Sequence, residues 1–240
     1  SQLRYAAMLD ARTLTDLRQI VVGIIAGTFL IEAIGAAALY FLLVGDPRIG
    51  EASALWMAVF HAVSAFCNAG FALFPGNLMG FVGDPLVQLV IMALIVLGGL
   101  GFPVIMELVR TGWQRAVRVV RKRAPMPQRL SLTARVVLST SLILIVVGTA
   151  AILLLEFTGA LAPAGEVGPG GRVLAALFAS VNTRTSGFNT VDLVVMKDAT
   201  LLVMCALMFI GGSPASTAGG SCPQSTGCEP SEWPDAASSD

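Results

Sequence analysis

Apolar residues in this chain of 240 residues gather into long, nearly uninterrupted runs. Three of these runs, at residues 20–44, 85–109 and 136–155, reach the ~20 residues that a helix needs to cross a bilayer. A fourth run, 199–210, is too short to cross alone and leads into the sequence GGSPASTAGG at 211–220. Because no alternating strand pattern accompanies these runs, we predict an all-α integral membrane fold without a sheet.

Two shorter apolar stretches lie between the long runs. They cover residues 52–66 and 171–181, and each is soon followed by a Gly-Phe pair, Gly70-Phe71 or Gly187-Phe188. Apolar helices of this length are typical of re-entrant or buried segments rather than of full spans. The predicted order is therefore span, re-entrant segment and span, occurring twice, with a polar loop between the two sets.

This order indicates an internal repeat, and three landmarks support it. Residues 31–36 resemble 155–160 at a separation of 124, and FHAVSAFCNAGF at 60–71 resembles LFASVNTRTSGF at 177–188 at a separation of 117. Gly98-Gly99 matches Gly211-Gly212 at a separation of 113. The unequal separations predict loops of different length. Chance similarity between apolar segments is the alternative.

Composition supports a membrane location. Hydrophobic residues make up 55% of the chain and charged residues 12%, against about 25% charged residues in a soluble domain. A soluble globular enzyme is excluded, and we predict a multi-pass protein of the inner (plasma) membrane. No nucleophile–base pair, phosphate-binding loop or cluster of metal ligands stands out, so we predict no enzyme activity, no catalytic residue, no resident metal and no cofactor.

The basic residues predict the orientation in the membrane. Eight lie between residues 110 and 135 with no acidic residue among them, and Arg4, Arg12 and Arg18 precede the first span. The positive-inside rule places both segments in the cytoplasm and leaves 45–84 and 156–198 outside. Binding of nucleic acid by the basic cluster is the less favoured alternative, because the chain has no net charge.

A re-entrant segment has a direct use in ion permeation. Irregular backbone survives inside a bilayer only where protein or a water-filled cavity satisfies its polar groups. An extended segment after a short helix can turn its carbonyl groups towards a cation and replace the hydration shell of the ion. Gly70 and Gly187 each follow such a short helix, so they suit a selectivity filter. A plain turn glycine remains the equal alternative on position alone.

Three motifs carry a resemblance to a known family. TRTSGFNTVD at 183–192 resembles the filter segment of the Trk/Ktr/HKT family of potassium transporters, and NAGF at 68–71 is similar to the other filter segments of that family. GGSPASTAGG at 211–220 resembles the glycine-rich loop that breaks the last helix of the family's third repeat. The resemblance implies a pore built from four repeats, with potassium as the transported ligand.

The resemblance also implies a division of the chain. Residues 1–112 would form the second repeat, 113–135 a basic cytoplasmic linker, and 136–220 the third repeat with an incomplete last helix. The implied filter residues are Cys67, Asn68, Ala69, Gly70, Phe71, Thr185, Ser186, Gly187 and Phe188. The implied gate loop, for which a plain helix kink is the alternative, consists of Gly211, Gly212, Ser213, Pro214, Ala215, Ser216, Thr217, Ala218, Gly219 and Gly220.

Partners follow from the same resemblance. It implies contact with membrane lipid, a homodimer of the complete protein, and a cytoplasmic nucleotide-binding regulatory subunit. No nucleic acid is expected as a partner.

The polar segment 221–240 has no apolar run and no basic residue. We interpret it as an unrelated, disordered extension that interrupts the fourth span of a truncated chain, with an ordinary disordered terminus as the alternative. Two filter segments of four cannot surround an ion. We therefore expect potassium transport from a longer parent protein. The alternatives are a membrane-inserted fragment or interaction module without transport, and a sodium transporter of the same superfamily.

Four polar residues in apolar surroundings require a partner. Glu32 falls in mid-span, where pairing within the bundle is favoured over ion binding. His61 is expected to pack or to hydrogen-bond rather than to act as a ligand. Arg184 lies three residues before Gly187, where a cation would repel potassium. It should therefore point away from the pore, towards a carboxylate or a helix end, with Glu156 as a candidate partner.

Overall fold

The computed structural model describes residues 2–49, 51–120, 130–161, 169–184, 186–210, 212 and 216–217. These residues form α-helices, two short 3-10 helices and no strand, which confirms the predicted fold class. The α-helices are α1 (Gln2–Leu43), α2 (Glu51–Phe66), α3 (Pro85–Leu100), α4 (Phe102–Val120), α5 (Leu132–Glu156), α6 (Pro169–Asn182) and α7 (Asp198–Ile210).

Two helices are long and apolar enough to cross a membrane, Val21–Leu43 within α1 and Leu132–Glu156 in α5. The two predicted re-entrant stretches form the shorter helices α2 and α6. Ser131 is the N-cap residue of α5, because its hydroxyl group accepts a hydrogen bond of 3.2 Å from the Ala134 amide.

The predicted span at 85–109 is interrupted by a sharp turn. The chain forms α3 and then turns by 109° into α4, so the two helices make at most one broken span. The break lies at Gly101, whose φ of 82° and ψ of 145° end α3. Pro103 follows in the first turn of α4, where its missing N–H costs no hydrogen bond. The hydropathy of 85–109 gave no sign of this turn.

The two halves of the chain have the same helix order and the same contact between their long helices. Gly35 on α1 faces Leu94 on α3. A methyl group added to Gly35 would lie 2.7 Å from the Leu94 Cδ2 atom. Gly148 on α5 faces Leu207 on α7 in the same way, at 2.9 Å. The two glycines are 113 residues apart in the sequence, and so are the two leucines. The starts of α3 and α7 and the ends of α1 and α5 have the same separation.

This separation corrects the first sequence landmark, the match of 31–36 to 155–160. Glu32 lies well inside α1, whereas Glu156 is the last residue of α5, so the two do not occupy equivalent positions. Both segments have a glycine three residues after the glutamate, but the segments lie at different places relative to their helices. Only the segment with the short helices and the Gly-Phe pairs departs from a separation of 113, because the loops around it differ in length.

The main core lies where α1, α2 and α3 pack together and meet α6. A second apolar cluster joins α5, α6 and α7. Small residues let these helices approach closely, since Ala54, Ala58, Ala62 and Ala65 along one face of α2 are all fully buried. The short helices α2 and α6 are thereby held against the long ones.

An ionic cluster fixes the segment between α1 and α3. Arg48 donates hydrogen bonds to Asp46 Oδ2 at 2.6 Å and to Asp84 Oδ2 at 2.7 Å, and its guanidinium lies 4.3 Å from the centre of the Phe81 ring. The hydrogen bond from Arg48 lowers the pKa of Asp46 below its ordinary value. This cluster holds the two ends of the predicted outer segment together.

Candidate functional site

The two Gly-Phe pairs follow directly from the two short helices. Gly70 comes after α2 with φ of 70°, and Gly187 comes after α6 with φ of 87°. A side chain is disfavoured at such angles, so glycine is the residue that suits both positions. Asn68 also has a positive φ, 52°. Thr185 lies outside the described residues.

The two glycine segments meet backbone to backbone. A methyl group on Gly70 would lie 2.2 Å from the Ser186 carbonyl oxygen and 2.7 Å from the Gly187 Cα atom. A methyl group on Gly187 would lie 3.4 Å from the Gly70 Cα atom. The structure therefore brings together the predicted filter residues of both halves, although they are far apart in sequence.

Side chains of α2 support the first glycine segment. The Ser64 hydroxyl group donates to the Phe71 carbonyl oxygen at 2.8 Å. The Leu73 amide donates to His61 Nε2 at 3.3 Å, while His61 Nδ1 lies 2.7 Å from the Met57 carbonyl oxygen. A neutral ring with its proton on Nδ1 satisfies both contacts. His61 is thus a hydrogen-bonding residue, as its sequence position indicates.

A different residue supports the second glycine segment. Asn182, at the end of α6, accepts a hydrogen bond from the Phe188 amide at 2.7 Å, and its amide nitrogen donates to the Phe188 carbonyl oxygen. The backbone carbonyl oxygen of Asn182 also accepts from the Ser186 amide at 3.0 Å. One residue therefore closes the loop around Gly187 through both its side chain and its backbone.

The two phenylalanines of the Gly-Phe pairs have different surroundings. Phe188 is 1% exposed and belongs to the main core, with its ring 6.5 Å from that of His61. Phe71 is 71% exposed. The aromatic side chain of the second half thus packs on the first half, whereas its counterpart in the first half has no such cover among the described residues.

Part of the predicted gate loop reaches the base of the first glycine segment. Thr217 Oγ1 donates to the Phe66 carbonyl oxygen at 2.9 Å and accepts from Asn68 Nδ2 at 2.8 Å. The Thr217 amide donates to the Gly98 carbonyl oxygen at 3.3 Å. Of the loop, Gly212, Ser216 and Thr217 are described; the others lie outside, namely Gly211, Ser213, Pro214, Ala215, Ala218, Gly219 and Gly220.

Gly98 makes this contact possible. A methyl group at Gly98 would lie 2.0 Å from the Phe66 carbonyl oxygen and 2.9 Å from both Asn68 Nδ2 and Thr217 Oγ1. The end of α2, the middle of the broken span and the loop after α7 therefore converge at one point. Residues 121–129 of the linker and the polar segment 221–240 lie outside the described residues.

Glu32 and Glu156 have hydrogen-bond partners other than a basic side chain. Glu32 Oε1 accepts from the Cys67 thiol at 3.7 Å, a contact within the bundle. Glu156 is fully buried and accepts from the Lys197 amide at 2.7 Å, the Thr200 hydroxyl at 2.6 Å and the Ala160 amide at 3.0 Å. The suggested pairing of Glu156 with Arg184 is therefore not formed.

Arg184 is 8% exposed, and its Nε atom has no hydrogen-bond partner among the described residues. It lies directly between α6 and the second glycine segment. The expectation that it pairs with a carboxylate is not met within the described part of the chain.

Sequence reasoning missed the residues that support the two segments. Ser64 and Asn182 are polar positions near the ends of otherwise apolar short helices, and this could have marked them as hydrogen-bonding residues. The role of Gly98 as a point of close approach had no comparable signal. Its neighbour Gly99 looks identical in sequence and meets nothing within 4 Å.

Comparison of the sequence with known proteins finds relatives named for potassium uptake. The chain is 38% identical over 205 residues to the Ktr system potassium uptake protein B of Vibrio alginolyticus and 36% identical over 204 residues to that of Bacillus subtilis. These matches cover 85% and 83% of the chain but only 42% of each relative. The potassium/sodium uptake protein NtpJ of Enterococcus hirae is 32% identical over 88% of the chain and 43% of its own length.

The chain therefore spans less than half the length of these relatives. A family model described as a cation transport protein, TrkH, matches residues 3–221, which is almost the whole of the described chain. Residues 3–221 include both glycine segments, both short helices and the loop after α7. The chain belongs to the TrkH family of cation transport proteins.

Proposed function

We propose that this chain forms two adjacent filter-bearing repeats of a potassium-translocating membrane protein. The observation that carries the proposal is the apposition of Gly70 and Gly187, each at the end of a short helix and each with a positive φ. Extended backbone at this position can present carbonyl groups to a cation in place of water. The relatives named for potassium uptake support the choice of ion.

The uneven burial of Phe71 and Phe188 supports a pore with further repeats. Phe188 packs against the preceding half of the chain, beside His61. If the same packing recurs around a ring, the exposed Phe71 packs against a preceding repeat of the complete protein. We propose 1–112 and 136–220 as two such repeats, joined by the linker 113–135. The common separation of 113 between their long-helix landmarks supports this division.

We propose that 211–220 is the gate of this pore. Thr217 bonds the end of α2 and Asn68, which lies two residues before the first proposed filter glycine, Gly70. A loop held there lies where an ion leaving the filter would pass. Its glycines and Pro214 favour the unwound backbone that such a position needs.

The test uses a chimaera, the full-length Bacillus subtilis relative in which the matched segment is replaced by that of this chain. Gly187→Ser should change the ratio of potassium to sodium uptake, because a side chain disturbs both the φ of 87° and the carbonyl ring. Gly211→Ser should change the rate of uptake and leave the ratio nearly unchanged.

Growth and ion uptake are measured in a potassium-uptake-deficient host, with the unmodified relative and the unsubstituted chimaera as controls. An unchanged ratio in Gly187→Ser together with a shifted ratio in Gly211→Ser would contradict the filter assignment. An unsubstituted chimaera that takes up no potassium would contradict the proposed function itself.

Transport of sodium besides potassium is the second candidate. The Enterococcus hirae relative, named for both ions, is 32% identical over 212 residues. The same uptake experiment separates the two candidates, because a sodium transporter of this family supports sodium uptake when potassium is absent.

Partners of the complete protein are also proposals. We propose a homodimer and a cytoplasmic nucleotide-binding subunit, and the word "system" in the names of the relatives supports more than one component. Co-purification of a tagged chimaera with the host's own Ktr components tests both.

A further inference from the structure

α4 has an uncovered apolar face that the proposed transport function does not use. Met106, Val109 and Trp113 recur at the spacing of one helix face and are 47%, 60% and 71% exposed. Arg110 lies one turn from both Met106 and Trp113, and it is exposed. An apolar stripe flanked by a basic residue is typical of a helix in the interfacial region of a membrane.

The contacts of the opposite face of α4 indicate how deep the helix lies in the membrane. Val104 and Ile105 are buried against Ala134 and Val137 in the first turns of α5. Glu107 accepts hydrogen bonds from the Ser131 amide at 2.5 Å and from its hydroxyl at 2.6 Å. Because α5 is a candidate span that begins at Leu132, α4 lies at the level where α5 enters the membrane.

The direction of α4 agrees with this level. The chain turns by 109° between α3 and α4, so α4 runs nearly perpendicular to α3. Trp is enriched at the boundary between hydrocarbon and headgroups. We propose that α4 lies flat in the cytoplasmic membrane interface, with Met106, Val109 and Trp113 among the acyl chains and Arg110 bound to anionic phospholipid headgroups.

Charge supports the choice of an anionic lipid as the occupant. No acidic residue lies between Arg110 and Arg135, a segment with eight basic residues. Each basic residue close to an anionic leaflet contributes about 1 kcal/mol of attraction. A protein partner on the same face would have to cover Trp113 and would exclude lipid from it.

The experiment incorporates the photoreactive residue benzoylphenylalanine at position 113 of the chimaera. The protein is reconstituted in vesicles of equal parts phosphatidylcholine and phosphatidylglycerol, irradiated, and its adducts are identified by mass spectrometry. We expect phospholipid adducts with an excess of phosphatidylglycerol. Position 109 serves as a second site should the variant at 113 fail to fold, and position 105, which is 6% exposed, is the matched control that should give adducts within the protein.

Arg110→Gln should lower the excess of phosphatidylglycerol at position 113 by about five-fold, whereas Arg18→Gln, an exposed arginine near another span on the same side, should leave it unchanged. Adducts from position 113 to a second copy, to another part of the protein or to a regulatory subunit would overturn the proposal. Equal yields of the two lipids that Arg110→Gln does not alter would also overturn it.

Discussion

The atoms next to each glycine decide whether it can be replaced by a larger residue. Gly98 and Gly99 are neighbours in α3, yet an added methyl group at Gly98 would lie 2.0 Å from the Phe66 carbonyl oxygen, whereas one at Gly99 meets nothing within 4 Å. Backbone oxygen cannot move aside as the end of a flexible side chain can. Close approach of two helices therefore requires glycine at only one of the two positions.

Gly98→Ala should lower the stability of the folded protein by about 1–3 kcal/mol, the usual cost of overpacking. Gly99→Ala should be neutral or should raise stability by up to about 1 kcal/mol, because alanine favours a helix over glycine. Thermal unfolding of the purified chimaera in detergent measures both. Equal destabilisation by the two substitutions would contradict the close approach at Gly98.

A second feature at the residue scale is the buried carboxylate of Glu156. Glu156 is fully buried, and backbone amides and the Thr200 hydroxyl surround its carboxylate. Such hydrogen bonds stabilise a buried charge. The role of Glu156 is therefore to tie the end of α5 to the start of α7.

At the scale of elements, interrupted helices make the proposed pore possible. α2 and α6 end before they could cross the membrane, and the chain after each adopts backbone angles that a helix cannot continue. The loop after α7 then lies against the end of α2 through Thr217. The contact joins the last described residues of the second half to the filter segment of the first.

Thr217→Val should increase potassium flux through the chimaera, because it removes two hydrogen bonds that hold the proposed gate loop against Phe66 and Asn68. At about 1 kcal/mol for each bond, the population of the released loop should rise by up to roughly thirty-fold. Thr217→Ser keeps the hydroxyl group and should retain the original flux. Uptake of potassium at matched expression is the measurement, and equal flux in both variants would contradict a restraining role for Thr217.

At the scale of the molecule, the predicted orientation places α4 and the linker inside the cell and the segments with the Gly-Phe pairs towards the outside. Arg115→Cys should react with a membrane-impermeant maleimide only after the cells are permeabilised. Val194→Cys should react in intact cells, because Val194 is 90% exposed on the predicted outer side. The unsubstituted chimaera corrects for Cys67 and Cys205, and the reverse labelling pattern would contradict the orientation.

Much of the fold could be predicted from local properties of the sequence. The lengths of apolar runs distinguish the spans in α1 and α5 from the short helices α2 and α6, because the thickness of a bilayer sets a minimum length for a span. Gly70 and Gly187 could be singled out because a turn after a short helix favours a positive φ. The proposed filter and gate roles came from family resemblance and are open to the tests above.

Tertiary structure alone decided the features that depend on distant residues. The turn at Gly101 interrupts the predicted span at 85–109. Hydropathy could not predict this turn, because it reports how apolar a segment is and not where its axis points. The true register of the two halves appears only where Gly35 meets Leu94 and Gly148 meets Leu207. The sequence determined which segments enter the membrane. Contacts between segments decided how they bend and which polar atoms they satisfy, because close packing and hydrogen bonding depend on positions in space.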